Sequence, residues 1–237
     1  FGQVLGVSLL VWFLRAEGVK VDFTSPIGIT AVIIGGLSSA LWGSLASISY
    51  HQSSFKQLLK DFFQVKDSLA NYCLVLVFLI LDFFPFILGG NITTQSLVLP
   101  VVLFFKALLF GGVEEIGWRY FFQPTLQEKR SYISATLITF LAWSIWHLFY
   151  FYIDGSLAVI QLLPFLVGLL INCFVLSALY HKTQSLWICV MTHACINSLS
   201  QILVNEEVWL SIVSKFLIIS IAIMIAKKNH INVKEEK

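Results

Sequence analysis

Apolar runs long enough to cross a bilayer follow one another along most of this 237-residue chain. A membrane-spanning helix needs about 20 mostly apolar residues, and inside lipid every backbone polar group must find a partner within the protein. The alternating pattern of barrel strands is missing. The sequence therefore predicts an all-α, polytopic transmembrane helix bundle of about eight helices, formed by a short run at 1–14 and by runs at 26–49, 71–92, 97–127, 132–153, 156–180, 184–204 and 207–226.

The composition is typical of a protein that is embedded in a lipid bilayer. Only 12% of the residues are charged and the mean hydropathy is +0.86, whereas soluble domains average about 25% charged residues. The net charge of +2 and the lack of a basic tract argue against a nucleic-acid partner. The four cysteines show no metal-binding spacing, so we expect small buried apolar groups. Because the first run is short, we expect either a truncated first helix or what remains of a longer start. A cleaved signal peptide is disfavoured, because no small-residue cleavage site follows.

The distribution of charge suggests three regions and an orientation. We expect N-terminal transmembrane helices in 1–97, with an amphipathic interfacial helix at 51–70, then a catalytic core at 98–204. The last transmembrane helix and a basic tail would occupy 205–237. Basic residues recur in every second loop and in the tail. The excess of Lys and Arg on the cytoplasmic side then predicts a multi-pass protein of the cell membrane with a cytoplasmic C-terminus.

Two adjacent carboxylates, Glu114 and Glu115, interrupt one apolar run. Such a pair is costly at membrane depth and needs partners or a wet cavity. Arg119 lies four residues after Glu115, on the same helical face, so the two can form an ion pair. Glu114 lies about 100° away on the helical wheel, on the face of Trp118, and is free to point into a cavity as a general base. The alternative is a purely structural Glu–Arg clamp between helices.

Later runs carry polar groups that can reach the same depth. His147 stands one helical turn after Trp143, and His193 stands one turn before Asn197. Helical rise puts all of these groups in the hydrocarbon region. The face shared by His193 and Asn197 can donate two hydrogen bonds to an oxyanion. Together with the glutamates, these residues predict a hydrolytic centre in the interior of the bundle.

The combination Glu-Glu-x-x-x-Arg, aromatic-x-x-x-His and His-x-x-x-Asn, in this order on separate helices, resembles the CPBP family. This family comprises the CAAX prenyl proteases and bacteriocin-processing (Abi) intramembrane proteases. The resemblance covers residues 98–204 and departs from the family at Trp143, where Phe is usual. It implies that Glu114 activates the attacking water with help from His147, and that His193 and Asn197 stabilise the oxyanion. It also implies that Glu115 and Arg119 brace the site.

A zinc site is the main alternative to this metal-free chemistry. Glu114, His147 and His193 could form a Glu/His/His ligand set. A His-Glu-x-x-His motif is missing, and Asn197 suits an oxyanion better than zinc. We therefore expect no cofactor. A serine mechanism is disfavoured because the sequence has no Gly-x-Ser-x-Gly motif, and an aspartyl mechanism because it has no paired intramembrane Asp. Asp82 is a lone acid in its span and is expected to face a cavity or a basic partner.

These observations predict an intramembrane endopeptidase whose substrate is a peptide or a membrane-anchored protein. The motif style is similar to that of bacterial members, for which peptide maturation or self-immunity to a bacteriocin is expected. A CAAX-type prenyl-protein endopeptidase is a second interpretation. A catalytically idle membrane scaffold of the same family is a third, although every motif residue is present. A proton-coupled transporter would also explain buried Glu and His, but it predicts inverted repeats that the sequence does not show.

Overall fold

The computed structural model describes residues 1–50 and 52–235, and the surroundings of the side chains up to residue 228. His51 of the predicted amphipathic segment and Lys237 of the predicted basic tail lie outside the described residues. The helices are α1 (Gly2–Ala16), α2 (Pro26–Gly36), α3 (Ser38–Tyr50), α4 (Phe55–Phe62), α5 (Leu69–Gly89), α6 (Val98–Ala107), α7 (Gln123–Gln127), α8 (Tyr132–Asp154), α9 (Leu162–Thr183), α10 (Leu186–Ser200) and α11 (Val208–Glu235). Two π-helical segments, Leu108–Gly112 and Ile116–Phe122, and a 3-10 turn at Ser156–Ala158 complete the helical structure.

The predicted all-α membrane bundle is confirmed. Within the described residues, five helical segments are long and apolar enough to cross a membrane: the combined α2–α3, then α5, α8, α9 and the first part of α11. Three shorter apolar helices accompany them: α1, α10, and α6 extended by the first π-helical segment. The chain is thus a multi-pass membrane protein. The predicted number of eight crossings stays a prediction, because the short helices are shorter than a full span.

Serine side chains set the starts of several helices. The hydroxyls of Ser25, Ser68, Ser131 and Ser185 each accept a hydrogen bond from a backbone N–H in the first turn that follows. Such N-caps satisfy backbone N–H groups of the first turn that a helix leaves without a partner. An N–H group without a partner is costly inside a membrane. At the other end of α8, Gly155 adopts a φ of 84°, a left-handed conformation that favours glycine. These signals fix where the long spans begin and end.

The amphipathic helix predicted at 51–70 is shorter than expected. Helix α4 covers only Phe55–Phe62, and a new helix starts after the Ser68 cap. Its buried side chains, Leu58 and Phe62, pack in a small apolar cluster with residues of the second π-helical segment and α10. The Tyr120 hydroxyl also donates a hydrogen bond of 2.8 Å to Asp61 of α4. The helix therefore braces the polar part of the bundle as well as presenting an apolar face.

The run at 97–127 is not the single α-helix that the sequence predicts. It widens twice into π-helical turns, which are separated by a turn at Val113 and by α-helical Glu114 and Glu115. Close packing occurs here, since a Cβ atom on Gly43 of α3 would lie 2.5 Å from the Gly117 Cα. Glycines allow two backbones to approach closely in a membrane. Single π-helical turns are often found at functional sites.

Two smaller expectations need correction. Asn91–Ile92 (β1) pairs antiparallel with Leu203–Val204 (β2), where the sequence predicts the ends of the helical runs at 71–92 and 184–204. This pair joins two loops at one end of the bundle, a contact between distant segments that local sequence does not reveal. Among the cysteines, Cys173 and Cys189 are buried as expected, but Cys73 is exposed. Cys73 lies on the outer face of α5, where an apolar side chain meets lipid and not the protein core.

Candidate active site

The two glutamates lie between the π-helical segments and face different helices. Glu114 reaches Trp143 on α8, whereas Glu115 reaches His193 on α10. Both side chains are buried, with 8% of Glu114 and 0% of Glu115 exposed. The wider helical turns on either side of them let adjacent residues contact two separate helices. The carboxylates can therefore serve different purposes although they are neighbours in sequence.

Glu115 is the centre of a buried charged cluster. Its Oε2 atom lies 3.6 Å from Arg119 Nε, which is the ion pair that their spacing predicts. Its Oε1 atom accepts a hydrogen bond of 2.8 Å from His193 Nδ1, a contact that the sequence analysis missed. No local signal could have identified this contact, because it joins residues 78 positions apart on different elements. Glu115 thus links the arginine to the histidine.

Arg119 is held from two directions. Besides the pair with Glu115, its guanidinium carbon lies 4.6 Å from the centre of the Trp143 ring. A cation over an indole face is attracted by the ring quadrupole, and the attraction is stronger away from water. With 0% of Arg119 exposed, a carboxylate and an aromatic face offset the cost of burying this charge.

Trp143, not Trp118, is the aromatic partner of Glu114. The indole Nε1–H of Trp143 donates a hydrogen bond of 2.8 Å to Glu114 Oε2. Trp118 is buried in the main apolar core, its ring centre 6.1 Å from that of Trp143. The sequence predicts that Glu114 shares a helical face with Trp118, and both side chains contact Trp143 of α8. The other carboxylate oxygen, Glu114 Oε1, has no hydrogen bond to any residue that the structure describes.

His147 has one nitrogen committed and one available. Its Nδ1 atom lies 2.9 Å from the backbone carbonyl oxygen of Trp143, one turn earlier in α8. A carbonyl only accepts, so Nδ1 carries the hydrogen and neutral His147 keeps a lone pair on Nε2. The tautomer follows from the hydrogen-bond pattern. His147 can therefore accept a proton or a hydrogen bond through Nε2.

A cavity of about 240 Å³ brings three of the four predicted catalytic residues together. It is large enough for ordered water and part of a peptide. Glu114, His147 and Asn197 contribute the polar part of its wall. The remaining lining residues are glycine or aromatic: Gly36, Phe110, Gly111, Tyr150, Phe151 and Phe165. The cavity thus offers a base, an imidazole and an amide to one molecule in mostly apolar surroundings.

The fourth predicted catalytic residue, His193, borders this cavity beside Gly111, which is one of the lining residues. A Cβ atom built on Gly111 would lie 2.6 Å from Asn197 Nδ2 and 3.2 Å from His193 Nε2. Both nitrogens therefore border the same small space, and only glycine leaves it open. A side-chain amide and an imidazole around one space form the arrangement that an oxyanion requires.

The zinc alternative finds no preformed ligand set in this geometry. Among residues 1–50 and 52–228, no three His, Cys, Asp or Glu side chains are grouped so that they could hold a metal ion. Glu114 and His193 are each engaged with another partner, Trp143 and Glu115. These bonds use Glu114 Oε2 and His193 Nδ1 and leave Glu114 Oε1 and His193 Nε2 available, so metal dependence is put to experiment below.

Comparison with known proteins gives one family. Residues 95–199 match the model of a family described as type II CAAX prenyl endopeptidase Rce1-like. The matched segment includes all seven predicted site residues, from Glu114 to Asn197. A search of curated proteins found no match to the chain. The family match supports intramembrane endopeptidase activity in general, with a peptide or a protein as the substrate.

Proposed function

Because the chain carries a Rce1-like domain, which belongs to the CPBP family of intramembrane proteases, we propose that it hydrolyses a peptide bond with water activated by Glu114. The observation that carries this proposal is the cavity shared by Glu114, His147 and Asn197. His193 borders the same space through Gly111. Glu115, Arg119 and Trp143 hold these groups in place and do not touch the substrate.

Glu114 is the general base in this proposal. Its Oε2 atom is fixed by Trp143, so the unbonded Oε1 atom is left to accept a proton from water in the cavity. The hydroxide oxygen then attacks the carbonyl carbon of the peptide bond. His147 Nε2 orients the same water by accepting its second hydrogen. Proton transfer by a positioned side chain contributes about 10²–10⁴-fold in rate.

Asn197 and His193 stabilise the negative oxygen that this attack produces. Asn197 donates through Nδ2. His193 Nδ1 is already bonded to Glu115, so donation from Nε2 requires the doubly protonated imidazolium. With His193 protonated, the charges of Glu114, Glu115, Arg119 and His193 add up to zero, which lowers the cost of keeping them inside a membrane.

The proton that Glu114 accepts from water returns to the substrate in the second half of the reaction. Glu114 protonates the departing amine nitrogen while the carbon–nitrogen bond breaks and the oxyanion becomes a carbonyl again. One water is consumed, and the products are a new carboxyl group and a new amine. Glu114 ends the cycle in its starting state, so no covalent enzyme intermediate is needed.

Trp143 positions the base. The family usually has Phe at this place, and Phe offers no hydrogen-bond donor. In this chain the indole N–H holds Glu114, and the indole face carries Arg119. The edge of the His193 ring also packs on it, at 5.3 Å between ring centres and 83° between planes. One side chain therefore fixes the base relative to the residues that stabilise the oxyanion.

The proposed substrate is a peptide or the membrane-anchored end of a protein, cut for peptide maturation or for self-immunity to a bacteriocin. The apolar and aromatic cavity wall suits an apolar side chain next to the cleaved bond. A prenylated CAAX protein is the second candidate, because the description of the matched family names such substrates. A lipid-modified peptide and an unmodified one of the same sequence, assayed in parallel, separate the two.

We also propose that the protein lies in the cell membrane with its C-terminus in the cytoplasm. The basic residues near α4, after α7 and in the tail support this orientation. Arg15 is an exception, since it donates hydrogen bonds to the carbonyls of Tyr152 and Ile153 at the opposite end of α8. A charge committed to a helix end in this way acts as a cap. Labelling of cysteines placed at either end, with a reagent that cannot cross membranes, tests the orientation.

Glu114→Gln tests the proposed function. Glutamine keeps the shape and can still accept the Trp143 hydrogen bond, but it cannot take a proton from water. We expect cleavage of quenched peptides by the purified protein to fall by at least about 100-fold, at the same folded amount. Glu17→Gln removes an exposed carboxylate and serves as the matched control. Cleavage by the Glu114→Gln variant at the wild-type rate would refute the assignment of the base.

A further inference from the structure

A second cavity, of about 480 Å³, lies between α5, α9, α10 and α11 and takes no part in the proposed reaction. Three ionisable side chains line it: Asp82, Glu206 and Lys215. Its volume is in the range of small-molecule sites, about 300–1,000 Å³. Charged side chains inside a membrane are rare and generally have a function.

The charged groups sit at one level of the bundle. The Ser214 hydroxyl donates a hydrogen bond to the backbone carbonyl of Leu81. This contact ties α11 to α5 and brings Lys215 and Asp82, the next residue in each helix, to the same depth. That depth is about 10 Å inside the helix ends at Gly89 and Val208. Water is scarce there, so each charge depends on neighbouring groups.

Lys215 and Glu206 satisfy each other. The Lys215 ammonium lies 3.2 Å from Glu206 Oε2, and it also donates to the Ser211 hydroxyl. Asp82, by contrast, has neither a hydrogen bond nor an ion pair within the part of the chain that the structure describes. Ionised Asp82 therefore leaves the cavity with one negative charge that lacks a counter-ion.

The rest of the cavity is apolar and open sideways. Leu163 and Val208 on its rim are 73% and 68% exposed, and Ile212 is 43% exposed. In a membrane, these exposed residues face lipid chains. Asn172 supplies one more polar group, deeper along α9. A polar pocket with a counter-charge deficit, continued by an apolar groove toward lipid, matches an amphiphile with a cationic head.

We propose that this cavity binds a phospholipid with a primary-ammonium headgroup, of the phosphatidylethanolamine type. The ammonium donates hydrogen bonds to the Asp82 carboxylate and to the Asn172 side-chain oxygen, and so gives Asp82 the counter-ion that it lacks. The phosphate brings a negative charge of its own and is placed on the side of the cavity lined by the Lys215 ammonium. The acyl chains leave along the groove at Leu163 and Ile212. This binding does not depend on the proposed hydrolysis.

Native mass spectrometry of the full-length protein in detergent tests the proposal. The protein is titrated with phosphatidylethanolamine and, separately, with phosphatidylglycerol of the same acyl chains. We expect the ethanolamine lipid to be retained more strongly. Asp82→Asn should weaken its apparent affinity by about tenfold, as expected when one hydrogen bond to a charged group is lost. Asp154→Asn, at a helix end outside the cavity, should leave the affinity unchanged.

One further variant makes the result decisive. Asp82→Glu keeps the charge and should keep the lipid preference, which tests the site even if Asp82→Asn lowers protein stability. A wild-type protein without preference between the two lipids would overturn the proposal. An Asp82→Asn protein that binds both lipids like the wild type would also overturn the proposal. So would a dimer of the protein that forms through this face and that lipid does not displace.

Discussion

The two polar cavities of this bundle differ in whether their buried charged groups have partners within the chain. Around Glu114 and Glu115, nearly every charged group has a partner within the chain: Trp143, His193 or Arg119. Around Asp82, one carboxylate is left without a partner among the described residues. Charged groups that are paired within the chain keep their positions, as catalysis requires. A carboxylate without a partner, such as that of Asp82, is in contrast available to bind a ligand.

The substitution with the largest expected effect fills the open space in the catalytic cavity. Gly111→Ala adds a methyl group where both Asn197 Nδ2 and His193 Nε2 border the cavity. Removal of one oxyanion donor costs about 10²–10³-fold in rate. Because two donors are displaced, we expect a loss above about 1,000-fold in kcat. Peptide cleavage is measured against Gly6→Ala, at a glycine with open space around it.

A near-normal rate for Gly111→Ala would show that the oxyanion does not lie between these two nitrogens. The folded fraction of both variants is followed by thermal unfolding in detergent, since alanine is otherwise well tolerated in a helix. An equal loss of folded protein in the Gly6→Ala control would point to a general sensitivity of glycines in this bundle, and not to the proposed site.

Arg119 tests whether the internal pairing is what keeps the first cavity ordered. Arg119→Ala leaves Glu115 with only His193 as a partner, and breaking a buried ion pair costs about 3–5 kcal/mol. We expect a lower amount of folded protein in membranes and a lower unfolding temperature. Adding Glu115→Gln to Arg119→Ala removes the unpaired carboxylate charge and should restore the amount of folded protein, while activity stays low. An Arg119→Ala protein that accumulates like the wild type would contradict the pairing.

Trp143 gives the smallest expected effect and the cleanest control. Trp143→Phe keeps an aromatic ring, as in most of the family, but removes the donor to Glu114. We expect about a tenfold lower kcat with an unchanged KM, from the loss of one hydrogen bond to a charged group. Trp146→Phe, on the same helix, loses the analogous 2.8 Å bond to Ser38 and should keep its kcat. Equal effects of both changes would indicate a packing role only.

The sequence was most informative about residues within one helix. Arg119 and Glu115 meet, as their spacing of four predicts. The long spans also lie close to their predicted bounds, because apolar runs and serine caps act locally. The contacts between helices could not be predicted, since spacing says nothing about which faces meet. The Glu115–His193 bond and the Trp143–Glu114 bond are both of this kind.

The π-helical turns could not be predicted either. They lie on either side of Glu114 and Glu115, within the run at 97–127 that the sequence predicts to be a single helix. No residue pattern announces a π-helical turn, although the adjacent Gly111 and Gly112 make one easier to form. The roles of the individual residues stay predictions that the variants above address.

The most direct test of metal-free hydrolysis combines Asn197→Ala with prolonged chelation. If water is activated by Glu114 and the oxyanion is held by Asn197 and His193, the wild-type protein should stay fully active after chelation. The alanine variant should then lose about 100- to 1,000-fold in rate. Peptide cleavage and metal content are measured on the same purified samples. Stoichiometric zinc, with activity that chelators abolish and zinc restores, together with a mild effect of Asn197→Ala, would contradict this account.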